Sequence, residues 1–277
     1  MDEELNDLAG VSLFFEERTG FWEDVYAVDS LDGAIYRQRL EVAVQWVSGL
    51  GLPAGSSALD VGCGAGFLMV PLVQLGLRTV GMDVSKAMLE VARNRVQLLP
   101  GVKDGLVALA DIASLGFRPG SFDLITALGV LPWIEDPIRA LKEVRRALTP
   151  NGYLVATSDN SRRLAHVLDP RHAPYFEGLR RGIRLSQLKL RARATPPRVR
   201  ERRYSSKDVD LMLSAAGFDV VQRAYVGYGP FTLMGRRILS EKSSIRLNAR
   251  LQELGFAGGW LRAGGNHYVV LARSRGV

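Results

Sequence analysis

The chain has 277 residues but only one cysteine, Cys63, and three histidines. A single cysteine excludes an intrachain disulfide and favours a reducing compartment. No apolar run approaches the roughly 18 to 20 residues of a membrane-spanning helix, and the N-terminal MDEELNDLAG lacks the basic start and apolar core of a signal peptide. No group of histidines, cysteines or carboxylates has metal-ligand spacing. We therefore expect a cytoplasmic protein without a metal site.

Basic side chains are nearly missing from residues 1–36, which carry ten acidic residues and one basic residue, Arg18. Residues 161–203 reverse this balance, with thirteen basic and three acidic residues. Two interpretations stay open. Either the basic segment receives an anionic or membrane-associated acceptor, or the acidic N-terminal segment lies across it. A nucleic-acid partner is disfavoured, because the arginines are not interleaved with aromatics for base stacking.

Strand-like and helix-like segments alternate from Ser57 onward. Strands that are apolar on both faces indicate a parallel sheet covered by helices. The predicted strands are residues 57–63, 78–84, 106–112, 121–130, 153–158, 219–227 and 266–274. The predicted helices are residues 34–50, 67–76, 85–99, 137–148, 205–217 and one or two within 231–255.

The pattern is interrupted at about residues 160–203, where the chain is rich in arginine and proline and has no clear period. We interpret this interruption as an inserted basic cap. The chain is then divided into an N-terminal helical lid, residues 1–50, and one α/β domain, residues 51–277, that contains the cap.

Three glycines follow the first predicted strand in SALDVGCGAGFLMVPL, with the spacing Asp60-x-Gly62-x-Gly64-x-Gly66. A strand, a glycine turn and a helix N-terminus form a site where backbone N–H groups face a ligand. A dinucleotide fingerprint requires its third glycine where this chain has Phe67. A pyrophosphate would also be repelled by Asp60, whereas a cationic amino group would be attracted.

Two further carboxylates follow the next strands. Asp83 ends TVGMD, where a carboxylate can accept both hydroxyls of a ribose. Asp111 in LADIA can accept from an exocyclic adenine amine, with Ile112 packed on the ring. An amine, a ribose and an adenine together describe S-adenosylmethionine.

The motifs LDVGCGAG, GMDVS, ALADIASLGF, FDLITALGVLPWIEDP and LTPNGYLVATS resemble, in order and spacing, those of class I S-adenosylmethionine-dependent methyltransferases. The segment YSSKDVDLMLSAAGF is similar to the family's helix before its sixth strand. The N-terminal region resembles the quinone and magnesium-protoporphyrin O-methyltransferases more loosely. The resemblance implies a Rossmann-like fold, with a seven-stranded, mostly parallel sheet and helices on both faces.

The resemblance also implies roles for individual residues. Asp60, Gly62 and Gly64 would hold the methionine end of the cofactor, and Leu128 its amino group through the carbonyl. An arginine ahead of the first strand would meet the methionine carboxylate, with Arg39 preferred and Arg37 as the alternative. The predicted cofactor set is Arg39, Asp60, Gly62, Cys63, Gly64, Gly66, Asp83, Val84, Asp111, Ile112 and Leu128.

Methyl transfer to a hydroxyl is helped by a base. His172 is the favoured candidate and His166 the second, because both lie in the cap, whereas His267 has a structural interpretation at the start of the last strand. The predicted acceptor pocket contains Trp22 and Trp133. Tyr26 completes it, on one helical face with Trp22 and Phe21.

The predicted activity is O-methylation of a small, amphiphilic or lipid-like metabolite. The alternatives are N- or C-methylation of a small molecule, methylation of a nucleic acid, and a cofactor-binding interaction protein that kept the fold. Peripheral membrane contact through the basic cap is a further hypothesis. Residues 229–251 support it if they form an interfacial helix that presents Phe231, Leu233, Met234, Ile238 and Leu239.

Overall fold

The computed structural model describes residues 8–99, 106–171, 199 and 201–276. Its strands are β1 (Ser57–Val61), β2 (Arg78–Asp83), β3 (Val107–Leu109), β4 (Phe122–Ala127), β5 (Leu148–Asp159), β6 (Phe218–Val226), β7 (Thr232–Leu233), β8 (Arg236–Arg237) and β9 (His267–Ser274). Its α-helices are α1 (Leu8–Glu16), α2 (Thr19–Asp24), α3 (Leu31–Gly49), α4 (Met69–Gln74), α5 (Lys86–Gln97), α6 (Pro137–Ala147), α7 (Leu164–Leu168), α8 (Ser206–Ala215) and α9 (Glu241–Ala257). Two short 3₁₀ helices span Leu131–Trp133 and Trp260–Gly264.

Seven strands form one sheet in the order β3-β2-β1-β4-β5-β9-β6. The pairs among β1 to β5 are parallel, and β9 is antiparallel to both of its neighbours. The predicted α/β, Rossmann-like fold with a mostly parallel sheet is thereby confirmed. Because β9 runs in the opposite direction, its first residue lies at the edge where the parallel strands end.

Helices cover both faces of the sheet. On one face Leu141 and Val144 of α6 and Leu213 of α8 share a buried apolar cluster with β4 and β5. On the other face Val47 of α3 and Leu72 of α4 pack against other side chains of β1, β4 and β5. Burial on both faces explains why the central strands are continuous apolar runs.

Helix starts follow local capping chemistry. The Ser85 side chain accepts from the N–H of Met88 at the start of α5. At α8, Ser205 accepts from the Asp208 N–H while the Asp208 carboxylate accepts from the Ser205 N–H, which completes a capping box. Both helix starts were expected from the sequence.

The helical prediction for residues 231–255 is wrong over its first part. Residues 232–237 form a hairpin of β7 and β8, and α9 begins only at Glu241. Met234 and Gly235 turn the hairpin with positive φ angles of 50° and 83°, and the Asp169 carboxylate accepts from the Gly235 N–H. The interfacial helix proposed for residues 229–251 is therefore not formed as one element.

The described part of the cap, residues 160–171, 199 and 201–203, contains α7 and is tied to the sheet edge by a bridge between Asn160 and Tyr204. Among the described ion pairs, Arg171 joins Asp169 and Arg203 joins Glu201, and none joins the acidic N-terminal segment to the cap. No helix within the described ranges is long and apolar enough to cross a membrane.

Candidate cofactor and acceptor site

A cavity of about 550 Å³ lies at the carboxyl-terminal edge of the parallel strands. It is lined by the glycine loop after β1, the residues that follow β2, β3 and β4, the end of β5 and the start of β9. Side chains of α1 and α3 close it from the N-terminal side, among them Phe15 and Tyr36. This is the position where ligands bind in open α/β sheets.

The glycine loop fits tightly among its neighbours. A Cβ on Gly62 would lie 2.5 Å from Cγ2 of Val130, and the φ of Gly62 is +63°. Gly66, at φ +78°, lies so close to α5 that a Cβ would come 3.0 Å from the Cα of Ala92. The two glycines therefore serve different purposes. Gly62 allows the loop to turn beneath Val130, and Gly66 allows α5 to pack close to the loop.

Asp60 is buried at the end of β1, where its Oδ1 accepts a 2.6 Å hydrogen bond from Oγ1 of Thr126. Burial raises the pKa of Asp60 to about 7, and the nearby Asp83 charge acts in the same direction. The Thr126 hydrogen bond and the positive Arg39 oppose this shift. A cationic group in the cavity would favour the ionised form further.

Asp83 joins the glycine loop to α5. Its Oδ2 accepts from the N–H of Gly64 and its Oδ1 accepts from the N–H of Ser85, both at 2.9 Å. An ionised carboxylate has acceptor capacity left beyond these two bonds. Val84, the next residue, lines the cavity, and its carbonyl accepts from the Ser12 hydroxyl of α1 at 3.0 Å.

Among the other predicted cofactor residues, Cys63, Asp111, Ile112 and Leu128 line the cavity, whereas Gly66 does not. Asp111 is partly buried and accepts from the Ala113 N–H at 3.0 Å, and Ile112 is buried beside it. Burial raises the pKa of the Cys63 thiol well above its ordinary value, so that Cys63 acts as a small apolar residue of the wall. Leu128 lines the cavity at the end of β4.

The two candidate arginines of α3 have different surroundings. Arg39 is buried, lines the cavity and donates from Nη2 to the Tyr26 hydroxyl at 3.1 Å. Arg37 instead donates to the backbone carbonyls of Tyr26 and Val28, at 2.8 and 3.1 Å. Arg37 therefore fixes the connection between α2 and α3, and Arg39 is the arginine at the cavity.

Aromatic side chains form one wall of the cavity. Trp22, Tyr26 and Trp133, the three predicted pocket residues, all line it. The Trp133 ring lies 5.2 Å from the Phe15 ring of α1. Phe21 does not line the cavity and is 47% exposed. Because α2 ends at Asp24, Tyr26 lies in the following connection and does not share a helical face with Trp22 and Phe21.

The histidines are arranged differently from the sequence-based expectation. His172 lies outside the described residues. His166 lies on α7, with Nε2 beside Nη2 of Arg163, and is not among the residues that line the cavity. His267, which the sequence suggested was structural, is buried and lines the cavity, with Nε2 3.2 Å from Oδ1 of Asp159.

His267 belongs to a polar end of the cavity that sequence reasoning missed. Tyr36, Arg163, Glu201 and Asn266 also line this end. These residues are far apart in the sequence, and no local motif unites them. Only the register of β9 against β5, which pairs His267 with Asp159, indicates the arrangement.

Asp159 and Glu201 form a coupled pair of acids in this region. Burial, together with the hydrogen bond and the charge of the neighbouring Asp159, raises the pKa of Glu201 to about 7. Burial also opposes ionisation of Asp159, but hydrogen bonds from His267 and Glu201 outweigh it and hold the Asp159 pKa well below its ordinary value. Near neutral pH, Asp159 is therefore the ionised member of the pair.

Five cavity-lining residues have a buried side-chain nitrogen or oxygen with no hydrogen-bond partner within the described ranges. These atoms are Nε1 of Trp22, Nε of Arg39, Nε of Arg163, Oδ1 of Asn266 and Nδ1 of His267. Buried polar atoms are normally paired, because leaving one unpaired costs about 1–3 kcal/mol. Their concentration around one cavity indicates a ligand that supplies the missing partners.

Residues 59–156 match a family model described as a methyltransferase domain. The ubiquinone biosynthesis O-methyltransferase of Pseudomonas paraeruginosa is 31% identical over 133 residues, which are 48% of this chain and 57% of that protein. An uncharacterised 37.1 kDa protein in transposon TN4556 of Streptomyces fradiae is 42% identical over 104 residues, 36% of this chain and 29% of that protein. The match to the first of these relatives thus spans just over half of its length.

Among solved structures, the magnesium protoporphyrin IX methyltransferase of Synechocystis PCC 6803 with bound S-adenosylhomocysteine has a TM-score of 0.62. It is 19% identical, and the match covers 96% of this chain and 99% of that chain. The chain has the fold of the class I S-adenosylmethionine-dependent methyltransferases.

Proposed function

We propose that this protein is an S-adenosylmethionine-dependent methyltransferase that methylates oxygen on a small, amphiphilic acceptor. The observation that carries the proposal is the set of unpartnered buried polar atoms around a cavity that also holds three carboxylates at the ends of neighbouring strands. The methyltransferase domain match and the O-methyltransferase relative support the same activity.

The donor set fits this cofactor. Asp60 and Asp83 suit a cationic amine and a ribose, and Asp111 suits an adenine amine. Arg39 offers an unpaired Nε to a carboxylate. When bound, the cofactor supplies an electrophilic methyl group on a sulfonium, and the protein has to align the acceptor and exclude water.

The opposite end of the cavity suits an acceptor with both apolar and polar parts. Trp22 and Trp133 offer flat apolar surface, while Arg163, Asn266 and His267 offer polar atoms without partners. This mixture favours a small amphiphilic molecule over a nucleic acid. Methylation of nitrogen or carbon is the alternative. The atom that carries the new methyl group in the product distinguishes O-methylation from N- or C-methylation.

The N-terminal helices support a lid over this cavity. Ser12 of α1 donates to the Val84 carbonyl, and Phe14 and Phe15 contact Trp133 with ring centroids 5.0 and 5.2 Å apart. We therefore propose that α1 and α2 close over the bound molecules and exclude water. In the division proposed above, residues 1–50 form this lid segment and residues 51–277 the catalytic domain.

The test combines binding with transfer. We expect calorimetry to detect S-adenosylhomocysteine binding near micromolar dissociation constants, and mass spectrometry to detect an O-methyl product from catechol-type probes and S-adenosylmethionine. Absence of cofactor binding would refute the proposal and favour an interaction protein that kept the fold. Binding with a methylated nitrogen or carbon in the product would exclude only the oxygen assignment.

Peripheral membrane contact is proposed at the hairpin in place of the interfacial helix. Leu233 and Met234 at its turn and Ile238 after it are exposed, with the exposed cation Arg236 beside them. Apolar side chains flanked by cations suit an anionic lipid surface. We expect co-sedimentation with phosphatidylserine vesicles at low salt, reduced in a Leu233→Ser/Met234→Ser variant. A wild-type protein that stays in the supernatant at low salt would refute this contact.

A further inference from the structure

At the polar end of the cavity, a histidine contacts a carboxylate, and this carboxylate contacts a second acid. Nε2 of His267 faces Oδ1 of Asp159 at 3.2 Å, and Asp159 is in turn hydrogen-bonded to Glu201. On the other side of the imidazole, Nδ1 is buried and has no partner among the described residues. The ring therefore has one nitrogen held by the protein and one nitrogen without a partner, on a residue that lines the cavity.

An ionised carboxylate only accepts hydrogen bonds, so Asp159 selects the tautomer of His267 that carries its proton on Nε2. In that tautomer Nδ1 has a lone pair and accepts. A carboxylate orients and assists a catalytic histidine in this way in the Ser-His-Asp arrangement. No serine or cysteine nucleophile is required here, because the acceptor itself attacks.

Several charged or titratable groups surround the ring. They are Asp159 at the end of β5, Tyr36 and Arg39 from α3, Arg163 before α7, and Glu201 beyond Asp159. Burial lowers the pKa of His267, and Arg39 and Arg163 lower it further, while the Asp159 hydrogen bond and charge oppose the shift. At neutral pH the imidazole is therefore uncharged, as a base must be.

We infer that His267 is the general base of the reaction, taking a proton at Nδ1 from an acceptor hydroxyl while Asp159 positions the ring through Nε2. This inference rests on the proposed function. The hydroxyl oxygen forms a bond to the methyl carbon as the carbon–sulfur bond of the donor breaks, and that electron pair stays on sulfur. The hydroxyl proton passes to Nδ1 of His267 and then to solvent. The acceptor class is thus a molecule with an ionisable hydroxyl.

The first test needs no acceptor. Nitrogen-15 spectra of the imidazole, with S-adenosylhomocysteine bound, should show His267 neutral at pH 7 and protonated on Nε2. Asp159→Asn should lower the titration midpoint of His267 further, because a carboxylate that stabilises imidazolium is lost. A His267 protonated on Nδ1 at pH 7, or a midpoint unchanged in Asp159→Asn, would overturn the inference.

The second test measures turnover of catechol at saturating cofactor. His267→Gln should lower kcat about 100-fold or more, leave S-adenosylhomocysteine affinity within about twofold, and abolish the fall of kcat at acidic pH. The loss should exceed that in His166→Gln by at least about tenfold. Equal losses in the two variants, or a His267→Gln profile with its acidic limb intact, would contradict the role.

The two proposals fail in different ways. A wild-type protein that binds no S-adenosylhomocysteine refutes the proposed function. If the wild-type protein methylates catechol and the kcat of His267→Gln lies within about threefold of the wild-type value, only the assignment of His267 as the base is refuted. Where the protein binds S-adenosylhomocysteine and does not turn over catechol, the spectra decide: a neutral ring protonated on Nε2 that responds to Asp159→Asn supports the base, and any other state refutes it.

Discussion

The two ends of the cavity are built in different ways. We call them the cofactor end and the acceptor end, after the molecules that we propose they bind. The cofactor end takes its carboxylates from Asp60, Asp83 and Asp111, each at or just after the end of one of three neighbouring parallel strands and each within a short motif. The acceptor end takes Tyr36 from α3, Asp159 from β5 and His267 from β9. The first end can be recognised from local sequence, whereas the second exists only after the chain has folded.

The two ends of the cavity also differ in their hydrogen bonding. At the cofactor end, both oxygens of Asp83 are already bonded to backbone N–H groups, so the carboxylate has a fixed orientation before any ligand arrives. At the acceptor end, Arg163, Asn266 and His267 each keep a buried polar atom unpaired. The difference indicates that the cofactor end is largely preorganised, with Nε of Arg39 left unpaired, and that the acceptor end is completed by the molecule it binds.

The largest expected effect tests the preorganised end. Asp83→Ala should weaken S-adenosylhomocysteine binding on the order of 100-fold, because charge-assisted hydrogen bonds contribute about 1.5–3 kcal/mol each. Calorimetry measures the change. Asp123→Ala is the matched control, because its carboxylate also accepts from a backbone N–H, that of Ser57, but at the opposite edge of the sheet. Equal losses of affinity in both variants would argue for a general effect on folding.

A smaller effect separates the two arginines of α3. Arg39→Gln should weaken S-adenosylhomocysteine binding about tenfold, or about 1.4 kcal/mol, because a buried cation at the cavity is lost. Arg37→Gln should leave affinity within about twofold and lower the melting temperature, since two backbone carbonyls lose their donor. The assignment would be reversed if Arg37→Gln gave the larger loss of affinity.

An effect of similar size is a pH dependence of binding. The Asp60 pKa is raised to about 7 in the free protein, and a bound ammonium group favours the carboxylate and lowers this pKa. Binding then releases a proton, so affinity for S-adenosylhomocysteine should rise about tenfold from pH 6 to pH 8. Asp60→Asn should remove most of this dependence. A wild-type affinity that is flat over this range would exclude Asp60 as the partner of the amine.

By itself, the sequence determined the sheet and the positions of the three carboxylates at the ends of its neighbouring strands. Apolar strands, helix caps at Ser85 and Ser205, and the glycine spacing are local signals, because each depends on neighbours within a few residues. The hairpin at residues 232–237 was not predicted from such local signals. Its apolar residues suggested a helix, but a tertiary contact decides its structure, since Asp169 accepts from the Gly235 N–H.

Only the tertiary structure decided the acceptor end. The start of the last strand could have lain at either edge of the sheet, and the antiparallel direction of β9 brings His267 beside Asp159. Of the two histidines that the structure describes, this pairing places His267 at the cavity, whereas His166 does not line it. The physical reason is that strand direction is a non-local choice. It is made by hydrogen bonds between residues more than one hundred positions apart, which no motif in either strand records.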